Sequence, residues 1–239
     1  MAVQNGKGRP AIDQLDNPVW SALGGPHQNL ARRLHDLAWY PPSIAPFAAI
    51  PAVGVLPDLE SARGRGLGEQ VYFVGACPHS LPEGWRVTSS SHILQLFPPG
   101  EIPEVGEDAG TVLGDKDRAA MRELTRIAFP DFFRERTAEL GLYLGIYEGE
   151  TLIAMAGERL ALPGLREISG VCTHPDFAGR GHARRLTRAL LSRHRRRGVA
   201  SFLHVSEGNV GARKLYESMG FVVRASLPLC KVERMASAR

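Results

Sequence analysis

The tightest constraint on this chain lies in residues 167–219. There an apolar segment ending in Val171-Cys172-Thr173-His174-Pro175 runs into the turn Ala178-Gly179-Arg180-Gly181-His182-Ala183 and then into a long basic helix. A second apolar segment, residues 202–205, and a short helical pattern carrying Leu215-Tyr216-Glu217 follow. A strand, a glycine turn and a helix in that order build an anion site. The first amides of a helix have no intrahelical acceptor, and the helix dipole places about half a positive charge at that end. Gly179 and Gly181 have no Cβ, so a phosphate can come close to the backbone. Arg180, Arg184 and Arg185 add charged donors at the same place, and pyrophosphate is the natural ligand. Residues 179–198 hold eight arginines and no acid, against a net charge of only +4 for the whole chain.

A second glycine run, Arg63-Gly64-Arg65-Gly66-Leu67-Gly68, has similar spacing. It leads into a strand pattern at residues 70–74, so no helix dipole faces it and the pattern carries no anion site. Cys77, Cys172 and Cys230 are odd in number and far apart, which points to a reducing compartment and away from a disulfide framework. The first residues lack the apolar core of a signal peptide, and no apolar run reaches the ~20 residues that span a bilayer. The expectation is a cytoplasmic protein with no membrane contact. The eight histidines show no metal-ligand spacing, so no metal is expected.

In chain order, residues 1–16 read as a loose start, and Asn17-Pro18 as a cap with proline at the first helical position. Helical spacing continues through Leu30, Leu34 and Leu37 to residue 39, and Pro41, Pro42 and Pro46 end it. A short strand at 47–50, a helical turn at 58–63 and strands at 70–74 and 93–97 follow. Residues 98–110, rich in proline, glycine and acid, read as a linker. It divides the chain into an N-terminal α/β region, 1–105, and a C-terminal domain, 111–239. Beyond it come a helix capped by Asp115 and stopped by Pro130, a short helix at 132–140, and strands at 142–147, 152–158 and 166–173 leading into the glycine turn.

The pattern V-x-T-H-P-x-F-x-G-x-G-x-A, a helix, and then N-x-x-A-x-x-L-Y-E-x-x-G-F resembles the GNAT superfamily of N-acetyltransferases over about residues 111–232, with most likeness to its glycine N-acyltransferase-like branch. The resemblance implies an α/β fold. A mixed central sheet would splay one parallel strand pair into a V-shaped slot for acyl-CoA, and the N-terminal region would be an extension or a degenerate copy. It implies acetyl-CoA as co-substrate, its pyrophosphate held by Gly179, Arg180, Gly181, His182, Ala183 and Arg184. Ala178 stands where the family usually has Arg or Gln. The backbone of Val171, Cys172 and Thr173 would pair with the pantetheine arm as an added strand does, and Asn209 would touch that arm.

Acetyl transfer to an amine requires a deprotonated nitrogen, donors for the oxyanion and a proton for the departing thiolate. By the resemblance Tyr216 is the acid toward sulfur. Glu167, near the start of the slot strand, is the first candidate for the base and Glu158 the second. Cys172 and His174 share a strand face, yet direct transfer needs no acyl-enzyme. His204 reads as a satisfied or slot-lining histidine. Phe132, Phe133, Arg136, Tyr143 and Tyr147 are candidates for holding the acceptor, and aromatics with one arginine suit a small-molecule amine such as an amino acid. The rivals are a longer acyl-CoA, a non-catalytic acyl-CoA-binding or regulatory module, and nucleic acid on the basic helix. Nucleic acid is not expected, because no aromatics interleave the arginines. A homodimer is compatible with the sequence, which carries no sign of its interface.

Overall fold

The computed structural model describes residues 12–100, 109–128 and 132–235. The chain opens with a 3-10 turn at Ile12–Leu15 and helix α1 (Pro18–Leu23), with proline at its start as expected. Asn17 makes no side-chain cap to the helix; its amide donates instead to the Ile50 carbonyl at 2.7 Å. The helix expected across residues 30–39 is a hairpin, β1 (Arg32–Leu34) and β2 (Leu37–Trp39), joined at His35-Asp36 and extended by β3 (Ala48–Ala49). Leu37, Ala38 and Trp39 are all buried, so this run is covered on both faces and shows no strand alternation. Its leucines repeat at helical intervals by coincidence, and the two-residue turn decides the structure. Helix α2 (Leu59–Arg63) is capped by the Asp58 carboxylate, which accepts from the Ser61 amide at 3.1 Å.

The remaining strands form one eight-stranded sheet. They are β4 (Gln70–Val74), β5 (Trp85–Phe97), β6 (Thr111–Leu113), β7 (Tyr143–Glu148), β8 (Thr151–Leu162), β9 (Leu165–Thr173), β10 (Ala200–Ser206) and β11 (Val222–Arg234). Their order is β4-β11-β5-β10-β9-β8-β7-β6. Pairing is antiparallel except between β9 and β10, so the sheet is mixed, in agreement with the expected fold class. Strands β4 and β5 come from the N-terminal region and pair with β11 and β10, so the sheet runs across the expected boundary. Part of the expected linker, residues 101–108, lies outside the described residues.

Helices α3 (Arg118–Ala128), α4 (His182–Arg196) and α5 (Val210–Glu217) complete the layers. Asp115 is not the helix cap; it opens a 3-10 turn, and Asp117 accepts from the Gly114 amide at 2.8 Å ahead of α3. Pro130 lies outside the described residues. The short helix expected at 132–140 shrinks to a 3-10 turn at Thr137–Leu140. On one face of the sheet α4 and α5 bury Leu186, Leu190, Leu203 and Phe221 with Ala154 and Ala156. The opposite face is covered by α1 and its neighbours around Tyr40, Phe47 and Phe202, and by α3 over Met155 and Cys172. The central strand β8 is therefore apolar along nearly its whole length.

Cys77 and Cys230 are disulfide-bonded, which corrects the expectation of three free thiols. Cys230 sits opposite Phe73 in the β4–β11 pair, and Cys77 follows β4 by a short turn, which brings the two Cα atoms to 6.0 Å. The partners are 153 residues apart in sequence, so only the strand pairing reveals them. Cys172 is free and buried. Among the described residues no helix is long and apolar enough to cross a membrane.

Candidate active site

The parallel strands β9 and β10 are paired only from Leu165–Ile168 against residues 200–203. Beyond Ile168 and Leu203 they separate, and a bulge in β9 opposite Met155 and Gly157 accompanies the divergence. Gly170 takes the left-handed conformation inside that bulge (φ 59°), with the Tyr143 ring close beneath it. From Ser169 to Thr173 the edge of β9 facing β10 has no strand partner, so its backbone groups face the gap. The gap is the mouth of a cleft of about 740 Å³, within the range of small-molecule sites.

A second hollow of about 430 Å³ adjoins it, sharing Thr173, Gly179 and Gly211 and continuing over Gly181, His182, Ala183 and Arg184. Gly179 and Gly181 both have positive φ (78° and 82°), and a Cβ at either would meet no atom within 4 Å. Two glycines in the left-handed region fix the turn, and their bare faces leave room beside the start of α4. The His182 Nε2 is buried there without a partner among the described residues. Arg184 donates to the Ser218 hydroxyl at 2.7 Å, tying the turn to the end of α5. An open backbone, an orphaned imidazole nitrogen and a helix N-terminus fit a pyrophosphate group.

The cofactor residues expected from sequence mostly converge. Val171, Cys172, Thr173, Gly179 and Asn209 line the cleft, and Gly181, His182, Ala183 and Arg184 line the second hollow. Asn209 also caps α5, its Oδ1 accepting from the Ala212 amide at 3.0 Å. Arg180 does not join them: it lies 4.9 Å over the Phe177 ring and donates to the Asp176 carbonyl. Tyr216 lines the cleft and is buried, packed 5.5 Å from the Phe221 ring. Burial, with help from the Glu167 charge, pushes its hydroxyl up to about 12, so the phenol keeps its proton at neutral pH. Burial likewise pushes the Cys172 thiol up to about 12, only partly offset by the Met155 amide, so little thiolate is present at neutral pH.

Both carboxylates named as candidate bases are held in ion pairs. Glu158 points to the other side of the sheet, where it accepts from His194 at 3.1 Å and Arg197 at 3.3 Å and anchors the end of α4. Glu167 is fully buried and does not line the cleft. It accepts both Nε and Nη2 of Arg159 and the Nδ1 of His204 at 2.8 Å. Burial alone would raise its pKa; Arg159 and His204 outweigh that and hold it down to about 2. A carboxylate so stabilised is a weak base.

Glu167 is one member of a polar row crossing five adjacent strands. Arg159 on β8, Glu167 on β9, His204 on β10, Gln95 on β5 and Arg224 on β11 are linked in that order. The Gln95 amide nitrogen donates to the Leu15 carbonyl (3.0 Å) and to His204 Nε2 (3.0 Å), and its oxygen accepts from Arg224. His204 thus spans the two, its Nδ1 on Glu167 and its Nε2 on Gln95. Arg224 ends the row on Asp16 at 2.6 Å. No sequence spacing announces such a row, because its members meet only through strand register.

Of the residues expected to hold the acceptor, only Phe132 lines the cleft. Phe133 packs on the buried Tyr143 ring at 5.6 Å, Tyr147 donates to Asp117, and Arg136 is engaged by Glu139. The wall that sequence reasoning missed is N-terminal in large part: Phe47, Val74 and Ile93, joined by Arg159 and Leu229.

Residues 143–227 match the FR47-like protein family. A curated relative, the N-alpha-acetyltransferase RimI of Mycobacterium tuberculosis, is 38% identical over 93 residues, or 38% of this chain. The match spans 58% of that relative's length. Among solved structures, one from Novosphingobium aromaticivorans, assigned to the GNAT family as an acetyltransferase, superposes with a TM-score of 0.82. It is 33% identical over 93% of this chain and 99% of that one. A GCN5-related N-acetyltransferase from Kribbella flavida shares the fold at 15% identity, with a TM-score of 0.61 over 96% of this chain and 98% of that one.

Proposed function

The chain belongs to the GNAT family, and on that premise we propose that it is an N-acetyltransferase moving an acetyl group from acetyl-CoA to the amine of a small molecule by direct transfer. The observation that carries this reading is the convergence of three features on one cleft: the unpaired edge of β9, the open glycine turn and Tyr216. The residues that would hold the co-substrate are Val171, Cys172 and Thr173 along the arm, Asn209 beside it, and Gly179, Gly181, His182, Ala183 and Arg184 at the pyrophosphate. When bound, acetyl-CoA supplies an activated acyl thioester.

The protein's own groups then have distinct tasks. Backbone N–H groups on the open β9 edge would supply donors for the negative charge that develops on the acyl oxygen. Tyr216, protonated at neutral pH, donates to the sulfur as the C–S bond breaks and the N–C bond forms. The nitrogen's proton leaves toward water, because among the described residues lining the cleft there is no Asp, Glu or Lys and both nitrogens of His204 are engaged by Glu167 and Gln95. Glu167 acts as a positioning residue for Arg159 and His204.

An amino acid is the acceptor suggested by the Phe47 and Phe132 rings with Arg159 in the cleft lining. A second reading, an amine at the end of a polypeptide, is favoured by the relative described as an N-alpha-acetyltransferase. Purified protein supplied with acetyl-CoA and a panel of primary amines should release free thiol with at least one of them. Thiol release no faster than without amine, across the panel and across acyl lengths, would leave a binding module in place of an enzyme.

A further inference from the structure

The cleft lining that the cofactor residues leave unused, taken here as the acceptor side, has a composition of its own. Its walls are Phe47, Val74, Ile93, Phe132 and Leu229, all apolar, with Phe47 and Phe132 stacked 6.3 Å apart and Tyr72 behind them at 5.1 Å from Phe132. Its polar floor is Arg159 and His204. Both nitrogens of His204 are already engaged, by Glu167 and Gln95. Arg159 spends Nε and Nη2 on Glu167 and lies 5.1 Å over the Phe47 ring. Its Nη1 takes no part in that pair.

Three consequences follow for the molecule that enters. An apolar chamber rewards an apolar substituent of aromatic size, since burying such a side chain gains about 10- to 100-fold in affinity. The Arg159 charge is already balanced by Glu167, so Nη1 offers hydrogen bonds without net charge. A neutral carbonyl oxygen suits it, whereas a free carboxylate would bring an unbalanced negative charge beside Glu167. With no unengaged base among the described lining residues, the amine must supply its own neutral fraction. An α-amino group next to a carbonyl, with a pKa of about 7.7–8.0, is about a tenth neutral at pH 7; a lysine-like amine at about 10.4 is neutral in less than one molecule in a thousand.

We propose that the acceptor is the α-amino group of an apolar residue whose carboxyl is masked as an amide, with the side chain against Phe47 and Phe132 and the carbonyl on Arg159. The assignment rests on the N-acyltransferase reading above and narrows it. Two sources share this chemistry, a small amino-acid amide and the first residue of a peptide.

The test uses the full chain, acetyl-CoA and a matched set of acceptors: phenylalaninamide, free phenylalanine, glutamic acid α-amide, 2-phenylethylamine and the tripeptide Phe-Ala-Ala. Titration with acetyl-CoA comes first, so that failure of the cofactor site is read separately. Binding of N-acetyl-phenylalaninamide to the CoA-loaded protein gives a readout that needs no turnover. Phenylalaninamide should exceed free phenylalanine, the acidic amide and 2-phenylethylamine by about tenfold or more in kcat/KM. Its kcat/KM should climb with pH until the acceptor's own pKa is passed. Phe132→Ala should raise its KM about tenfold and leave acetyl-CoA affinity unchanged. Turnover of Phe-Ala-Ala as good as that of the amide would assign the peptide source, and its exclusion the small-molecule source. Preference for acidic or free amino acids by a protein that binds acetyl-CoA would overturn the inference while sparing the reading beneath it. A Phe132→Ala protein that shifts to longer acyl-CoAs would give the chamber to the donor and overturn it equally. Failure to bind acetyl-CoA would remove both.

Discussion

Replacing Glu167 by glutamine keeps the shape of the side chain and an acceptor for His204, and removes the charge that balances Arg159. The guanidinium it abandons is only 16% exposed, so water replaces the carboxylate only in part. Losing one partner of a buried ion pair costs about 3–5 kcal/mol. For a chain of this size that corresponds to a fall in Tm of roughly 6–20 °C. Glu167 titrates at about 2 in the folded protein against an ordinary 4.5, because Arg159 and His204 overcome the cost of burial. A depressed folded-state pKa means that the pair's contribution, about 3 kcal/mol, is complete above about pH 4.5 and fades as pH falls toward 2. The stability gap between wild type and Glu167→Gln should therefore be wide at pH 7 and nearly closed at pH 2. Denaturant unfolding followed by circular dichroism at several pH values reads this directly. A gap below about 0.5 kcal/mol at pH 7, or one equally wide at pH 2, would show that Glu167 is not held by Arg159. A variant of unchanged stability that had lost turnover more than 100-fold would restore Glu167 as the base.

The other assignments give narrower outcomes. Tyr216→Phe should lower kcat by roughly 10- to 10³-fold with little change in acetyl-CoA affinity, since only the proton donor is removed; unchanged turnover would exclude it as the acid. Gly181→Asp places a Cβ at φ 82° and a negative charge beside the phosphates, so acetyl-CoA binding should weaken at least tenfold by calorimetry, and wild-type affinity would refute the cradle. Glu158→Gln should lower stability by about 1–3 kcal/mol through His194 and Arg197 and leave kcat within about twofold at temperatures where the protein stays folded. A large loss of turnover in that folded variant would return Glu158 to the chemistry.

The legible parts of the chain were those in which local sequence decides local structure. Pro18 opens a helix, residues 58–63 make a helical turn, and Gly179 and Gly181 form the turn ahead of α4, because each depends on a few neighbouring residues. The segment 30–39 misled because leucines spaced for a helix also serve a strand buried on both faces. The carboxylates misled for a different reason. A glutamate on a slot strand looks available until the register sets Arg159 and His204 against it, and those contacts span 8 and 37 residues. The Cys77–Cys230 bond and the acceptor wall from Phe47, Val74 and Ile93 are long-range in the same sense. They depend on an eight-stranded sheet whose order no local pattern encodes.

The central claim is that the parted edge of β9 and the turn at Gly179 and Gly181 form one acyl-CoA site. Calorimetric titration of the purified protein with acetyl-CoA tests it most directly, with CoA and longer acyl-CoAs as companions. The account predicts binding near 1:1 with a Kd in the micromolar range, weakened at least tenfold by Gly181→Asp. No heat of binding at millimolar acetyl-CoA, or binding that ignores Gly181→Asp, would contradict it.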